Sequence, residues 1–566
     1  MRKTNIPPPV QHHQYSNTQR DMELEDRHNP DSPLRRKVLL KLSKQAGYEF
    51  CDVTSIHGVK QCFGSDKFLP EKVWWVTVFI ISLYLCLSQM YSVYRKWERD
   101  PIIVSFDQHP QPIYSIPFPA ITICPETKVK SSTLNLTETF ILVRSRKLDE
   151  SMDSERVRKL MALLQLCDYQ LYDRNEKATA DDDILQLLRQ LAIPSFEVFN
   201  ACLWRASSFR CLNLFKTTLT EKGFCFTFNM IGNNELLRKE ELDSRYAFNS
   251  ETRESHWDLD TGYRQGGVFP FRVVAGDYNE GLKVMLLAKK VDMDYFCGDK
   301  FQGFRVLLHM PNEYPQLSSQ FFRIPLNQEL IVTVTPRVMS TDNHAMLYSA
   351  DKRNCYHGTE RYLRFFRIYN RRNCEVECLT NITLQLCSCV RFWMPRPVGA
   401  PLCGLRDNPC AEKAMSNMIK AEAAKVKGES VENAAFCNCM PSCTHVEYQT
   451  QISQADWEWQ QGGFFDFDKR QPDDVHQSKM VIYFKESHFI PISRSEINSI
   501  SDLFASAGGL MGLFMGVSLI SLVELLYYCT VRPFTLWKLS RRKRSSVWTS
   551  VHSANHCSSK ASDGVQ

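Results

Sequence analysis

The chain has 566 residues, 43% hydrophobic and 23% charged, with a formal net charge of +6. That length accommodates several domains, and so small and local a basic surplus argues against a nucleic-acid-binding protein. Twenty-one cysteines are many for any chain, and their placement carries more than their number.

Residues 1–34 are rich in proline, histidine and asparagine and contain no apolar run, which predicts disorder and no cleavable signal peptide. The stretch 35–70 is mixed and carries Ser55-Ile-His57-Gly58. The basic residues before the first span include Arg35, Arg36, Lys37, Lys41, Lys44, Lys60, Lys67 and Lys72. A first membrane span is expected at Val73–Tyr94, uncharged between Glu71-Lys72 and Arg95-Lys96. As a helix it would rise about 33 Å, enough for a hydrocarbon core of about 30 Å. This span is expected to serve as a signal anchor.

Residues 95–502 form the long loop between spans. It opens with proline-rich extended chain from Asp100 to Pro119. Helical periodicity follows over 150–195. Strand-like runs come next at Phe224–Phe228, Lys283–Leu287, Phe304–Leu308, Glu329–Thr335 and Met480–Phe484. A polar helix is expected near 411–428. The loop holds sixteen cysteines: Cys124, Cys167, Cys202, Cys211, Cys225, Cys297, Cys355, Cys374, Cys378, Cys387, Cys389, Cys403, Cys410, Cys437, Cys439 and Cys443. An even count in an oxidising compartment predicts a closed disulfide set, with the pairing left open. The spacings Cys374-x3-Cys378, Cys387-x-Cys389 and Cys437-x-Cys439-x3-Cys443 resemble zinc-ligand spacing, but disulfides are the stronger reading, and no structural metal is expected. Two glycosylation sequons, at Asn135 and Asn381, also fall in this loop.

The second span is expected at Leu503–Val531. As one straight helix it would run about 43 Å, so it must tilt steeply or break. Gly508, Gly512 and Gly516 recur every fourth residue, followed by Ser518 and a lone acid, Glu524. A glycine stripe alone would serve as a dimerisation face. That reading accounts for neither Ser518, nor Glu524, nor the excess length. A helix broken at Gly516-Val517-Ser518 beside a water-filled path accounts for all three, because non-helical backbone at membrane depth needs such a path or burial in protein. An ionisable group in a span is itself a functional signal. An ion pair with Arg532 is the bland alternative for Glu524. Residues 532–566 carry the basic run Arg541–Arg544 and a serine-rich tail expected to be disordered. The basic flanks place both termini, 1–72 and 532–566, in the cytosol and the loop outside the cell.

No catalytic constellation or phosphate-binding glycine loop is present, so neither an enzyme nor a cofactor is expected. The fourteen histidines are scattered.

Four motifs, in order, resemble those of the degenerin, epithelial sodium channel and acid-sensing channel superfamily, most closely its insect pickpocket branch. They are His57-Gly58 before the first span, Phe118-Pro-Ala-Ile-Thr-Ile-Cys124 after it, Cys437-Asn-Cys-Met-Pro-Ser-Cys443, and Gly508–Ser518. The resemblance covers nearly the whole chain. It implies two transmembrane helices per chain, a large disulfide-rich α+β extracellular domain of hand-like form, and a trimeric channel of the plasma membrane, homomeric or with related subunits. It implies a voltage-insensitive, sodium-preferring, amiloride-sensitive cation channel of sensory cells, opened by an extracellular chemical, osmotic or mechanical stimulus. Gly516-Val517-Ser518 would be the selectivity filter, with sodium held at Gly516 and Ser518, and Glu524 an acidic ring beneath. His57 and Gly58 would act in gating, Ala505 at a gating position, and Gly508 and Gly512 in helix packing. Asp502 would draw cations to the mouth or simply start the helix. The membrane lipid and the sodium ion are the expected partners. Val517 stands where many members have a smaller residue, and Tyr527 where acid-sensing members carry aspartate. Residues 351–354, before Cys355, lack those members' tryptophan, so proton gating is not implied. The rival readings are a non-conducting two-span receptor or accessory subunit, which needs neither the filter nor Glu524, and a tethered enzyme, which lacks its catalytic set.

Overall fold

The computed structural model describes residues 44–63, 68–144, 154–167, 183–244, 253–297, 301–318, 320–427, 437–460 and 474–539. The disorder expected at 1–34 and after 545, the basic run 541–544, Cys557 and part of the helical stretch 150–195 lie outside these residues. The chain divides into two compact units, residues 1–101 with 497–566, and residues 102–496.

The first unit is helical. A helix over 44–53 leads through a turn at His57 and Gly58 into a short helix, Val59–Phe63. Leu69–Arg99 is one helix of 31 residues. Proline in its first turn presets the helical φ, and Glu71 at the start with Lys96 and Arg99 at the end suit the helix dipole. Trp74, Ile80 and Leu87 are exposed in the single chain, as side chains facing hydrocarbon would be. Ile500–Met515 runs beside it. Ser82 Oγ donates to the Phe514 carbonyl at 2.7 Å, and Trp97 Nε1 to the Asn498 carbonyl at 3.2 Å. The helix stops at Met515, and a second begins at Leu519, passes through a wider π turn at Tyr527–Val531, and continues to 539. Leu69–Arg99 and Leu519–Leu539 are each long and apolar enough to cross a membrane.

The second unit is built on two sheets. The larger has eight strands, with Gln328–Thr341 at its centre. That strand pairs antiparallel with His445–Asp456 on one side. On the other it runs parallel to Val475–Phe484 and then to Ile492–Glu496. The period-two pattern of a strand sends Leu330, Val332 and Val334 into the core. Leu282, Val284 and Leu286 from Leu282–Lys289, with Met480, Ile482 and Phe484, complete that face. The smaller sheet has five strands, ordered Phe322–Ile324, Phe304–His309, Ala120–Pro125, Gly223–Phe228 and Phe215–Thr220. Each of the five strand-like runs read from the sequence lies in one of these strands.

Phe118, first residue of the Phe-Pro-Ala motif, is fully buried. Its ring meets Trp204 at 5.0 Å and Phe484 at 5.2 Å, both edge-on, the arrangement aromatic quadrupoles favour. Asn229, in a left-handed conformation at φ 60°, donates from Nδ2 to the Phe118 carbonyl at 2.6 Å. The motif therefore anchors the core.

All sixteen loop cysteines pair: 124–225, 167–297, 202–211, 355–443, 374–439, 378–437, 387–410 and 389–403. The zinc-like spacings are thus spent on disulfides. Five of the bridges knit the region around helices Arg371–Cys387 and Asn408–Lys427. The described cysteines of the first unit, Cys51, Cys62, Cys86 and Cys529, are free thiols.

Candidate functional site

The site lies in the helical unit, where the second apolar run breaks. Gly516 ends Ile500–Met515 in the left-handed conformation, φ 64° and ψ 23°, which glycine adopts without strain. Its N–H still reaches the Gly512 carbonyl at 2.9 Å. Ser518 is extended, at φ −112° and ψ 170°, and caps the next helix. Its Oγ accepts from the Ser521 N–H at 3.2 Å, and the Ser518 N–H donates to Ser521 Oγ at 3.1 Å. Two reciprocal bonds thus satisfy donors that a helix start leaves bare.

The turn at 54–58 packs against this break. The His57 N–H donates to the Met515 carbonyl at 2.9 Å, an acceptor freed because the helix ends there. The His57 imidazole covers Gly516, and a Cβ on that glycine would lie 2.6 Å from the ring's Cε1. Gly58 holds φ 86°, and a Cβ there would come 3.1 Å from Cδ2 of Phe79 in the long helix. His57 is therefore brought directly to Gly516, and Gly58 to Phe79 beside it.

Beneath the break lies a polar cluster. Ser55 Oγ is 2.6 Å from Ser521 Oγ, which is 3.1 Å from Ser518 Oγ. The Ser55 N–H and Oγ each reach Glu524 Oε2 at 3.3 Å. Ser521 is 1% exposed. Glu524 thus accepts from Ser55, while Arg532 pairs with Glu49 at 2.8 Å. Phe50 and Tyr528 meet at a ring distance of 5.7 Å beside that pair.

Other residues singled out in the sequence sit elsewhere. Asp502 caps its helix with Ser499: the Ser499 N–H donates to Oδ2 at 2.9 Å, and the Asp502 N–H donates to Ser499 Oγ at 3.2 Å. Ala505 and Gly508 are exposed, and a Cβ on Gly508 would meet nothing within 4 Å. Gly512 would meet only the Val517 carbonyl, at 3.8 Å. Among the described residues, then, a Cβ at Gly508 or Gly512 would press on no other helix of the same chain. Asn135 is exposed, and its Oδ1 accepts from the Glu138 N–H at 3.1 Å. Asn381 lies half-buried inside helix Arg371–Cys387.

Sequence reasoning passed over Ser55, Ser521 and Glu49. The reciprocal cap Ser518-x-x-Ser521 was a readable signal for the second. Ser55 and Glu49 lie more than 460 positions from their partners, and no local pattern announces them.

The model of one family, the amiloride-sensitive sodium channels, matches residues 50–528. Pickpocket protein 28 of Drosophila melanogaster is 27% identical over 508 residues, covering 87% of this chain and 79% of that one. Sodium channel protein Nach of the same fly is 21% identical, covering 90% and 93%. Acid-sensing ion channel 1A of Danio rerio is 20% identical, covering 87% and 90%.

Proposed function

The chain belongs to the amiloride-sensitive sodium channel family, and we propose that it is a pore-forming subunit of a voltage-insensitive, sodium-preferring, amiloride-sensitive channel opened by an extracellular stimulus. Members are plasma-membrane ion channels with two spans and a disulfide-rich extracellular domain, not enzymes. In this reading the subunit assembles as a trimer with copies of itself or related chains. The basic flanks hold both termini in the cytosol, and transport is passive.

The observation that carries the proposal is the break at Gly516–Ser518, braced by His57. A membrane helix leaves its backbone groups unbonded only where a water-filled path or protein takes them up. Here the brace comes from a separate turn of the same chain, a construction that a plain anchor does not need. Three chains would set Gly516 carbonyls and Ser518 hydroxyls around one axis, hard oxygens able to replace part of a sodium ion's water shell. Three copies of Glu524 below would concentrate cations.

The test is expression in a cell without endogenous current, under voltage clamp, with and without Ala505→Val. A larger side chain at 505 is expected to hinder closure and raise a resting inward current that amiloride blocks and sodium replacement removes. A subunit at the cell surface that passes no cation current, alone or with a related subunit, under any stimulus and on either background, would instead be a non-conducting receptor or accessory subunit.

A further inference from the structure

We infer that Ser55 is a positioning residue for ion selection, setting both the carboxylate of Glu524 and the orientation of the Ser518 hydroxyl; the role rests on the pore reading above. An ionised carboxylate only accepts, so the 3.3 Å contact from Ser55 Oγ to Glu524 Oε2 consumes the Ser55 proton. Ser55 Oγ must then accept in its 2.6 Å contact with Ser521 Oγ, and the Ser521 proton points toward Ser55. Ser521 Oγ in turn accepts across the 3.1 Å to Ser518 Oγ. The chain of three hydroxyls is therefore ordered by the acid at its end, all protons running toward Glu524. Ser518 is left with its proton pointed away and its oxygen free to face a cation. One of that oxygen's lone pairs takes the Ser521 N–H at 3.2 Å, and the other remains for the ion. Aligned hydrogen bonds polarise one another, so a break anywhere in the chain is felt at its far end.

Ser55 is the link that crosses from the amino-terminal turn to the pore helix. Its N–H also reaches Glu524, at 3.3 Å, so removing the hydroxyl leaves one tether on the carboxylate but ends the ordering of the hydroxyls. The same turn carries His57 against Gly516. A displacement of residues 55–57 would thus alter the filter's backbone, its hydroxyl and the acid beneath together.

The experiment compares sodium and potassium currents in full-length channels carrying Ser55→Ala, Ser521→Ala, Ser55→Thr, Glu524→Gln, or Ser55→Ala with Glu524→Gln. The sodium-to-potassium permeability ratio is expected to fall about threefold in Ser55→Ala and Ser521→Ala, the low end of what one ordinary hydrogen bond contributes. Ser55→Thr, which keeps the hydroxyl, should retain the wild-type ratio. Ser55→Ala and Glu524→Gln together should fall short of the product of their separate effects, because the two act through one chain. An unchanged ratio in Ser55→Ala, or effects that multiply in the double variant, overturns the proposal. A second measurement needs no current: Ser55→Cys with Ser521→Cys should form a disulfide in membranes, identified by mass spectrometry. Failure to form it removes the contact and the proposal with it. A disulfide that forms in this variant, while the wild-type chain at the cell surface passes no current under any stimulus, refutes the pore reading itself, and with it any part for Ser55 in selection.

Discussion

The imidazole of His57 occupies the space that any side chain on Gly516 would need: Cγ and Cε1 of the ring both lie 2.6 Å from where a Cβ would stand. Since Gly516 also holds φ 64°, glycine is demanded twice, by the backbone and by the neighbour.

Gly516→Ala should therefore be costly. The left-handed backbone alone costs an alanine about 1–2 kcal/mol, and the ring must also move. Sodium current at matched surface density is expected to drop at least about tenfold, since every 1.4 kcal/mol is a factor of ten. His57→Ala in the same chain should recover the share due to the clash and leave the backbone share. A Gly516→Ala channel conducting like wild type would show that the ring and the glycine do not meet in the working channel.

Gly58 poses the same question on the other side of the contact. At φ 86° a serine is strained whatever the space around it, and its Cβ would press on Phe79. Gly58→Ser is expected to lower open probability several-fold, on the order of 1 kcal/mol of strain. Gly58→Ala should do the same, because the cause is the backbone and not the hydroxyl. Single-channel records in which alanine behaves like glycine while serine does not would assign the effect to the hydroxyl and refute the backbone account.

What could be read from the sequence follows from what is local. The excess length of 503–531 and the Gly-Val-Ser triplet announce a break because both are properties of one segment. The cap made by Asp502 is also local, three residues from Ser499, and the helix-start role left open for it is the one seen within a single chain. By contrast, His57-Gly58 carries no signal of its own and acquires meaning only from a resemblance. Arg532 was the natural partner to weigh for Glu524 along one helix, yet it turns to Glu49. Ser55 meets Ser521 across 466 positions, a contact no periodicity encodes. The glycine stripe shows the other limit: Gly508 is conspicuous in sequence, yet among the described residues a Cβ there would meet nothing within 4 Å.

The cysteine pairing was equally illegible, but its logic is plain once seen. Cys374 and Cys378 lie one turn apart on one helix face, and Cys437 and Cys439 flank Asn438, whose backbone is left-handed at φ 44°. The register is crossed, with 374 to 439 and 378 to 437. Cys378→Ala should therefore release a thiol at Cys437, detectable by maleimide labelling and peptide sequencing. Label at Cys439 instead would overturn the pairing. Loops of 65 and 59 residues make each bridge worth about 4 kcal/mol in a chain-entropy account. A clear fall in thermal stability and surface delivery should accompany the labelling.

A last expectation concerns acid. His309 is buried, and its Nδ1 lies 2.8 Å from the Met310 carbonyl, which can only accept. The proton therefore sits on Nδ1, and Nε2 accepts from Thr122 Oγ1 at 2.9 Å. Burial, which disfavours the charged ring, pushes its pKa down to about 4. Unfolding releases it to an ordinary value near 6.5, so between those two pH values the unfolded chain binds a proton that the folded chain refuses. Stability contributed by His309 is present above pH 6.5 and falls as pH drops toward 4, by up to about 3 kcal/mol. His445, lowered mainly by burial, adds in the same direction. Glu313, whose carboxyl burial pushes up, works oppositely, since its folded form holds the proton more tightly. The difference between two proteins is thus more telling than either curve. Melting of the full-length protein in detergent at pH 7.5 and 4.5 should show a smaller acid-induced loss for His309→Gln than for wild type. Parallel losses in the two would mean that the imidazole is not held neutral in the folded chain.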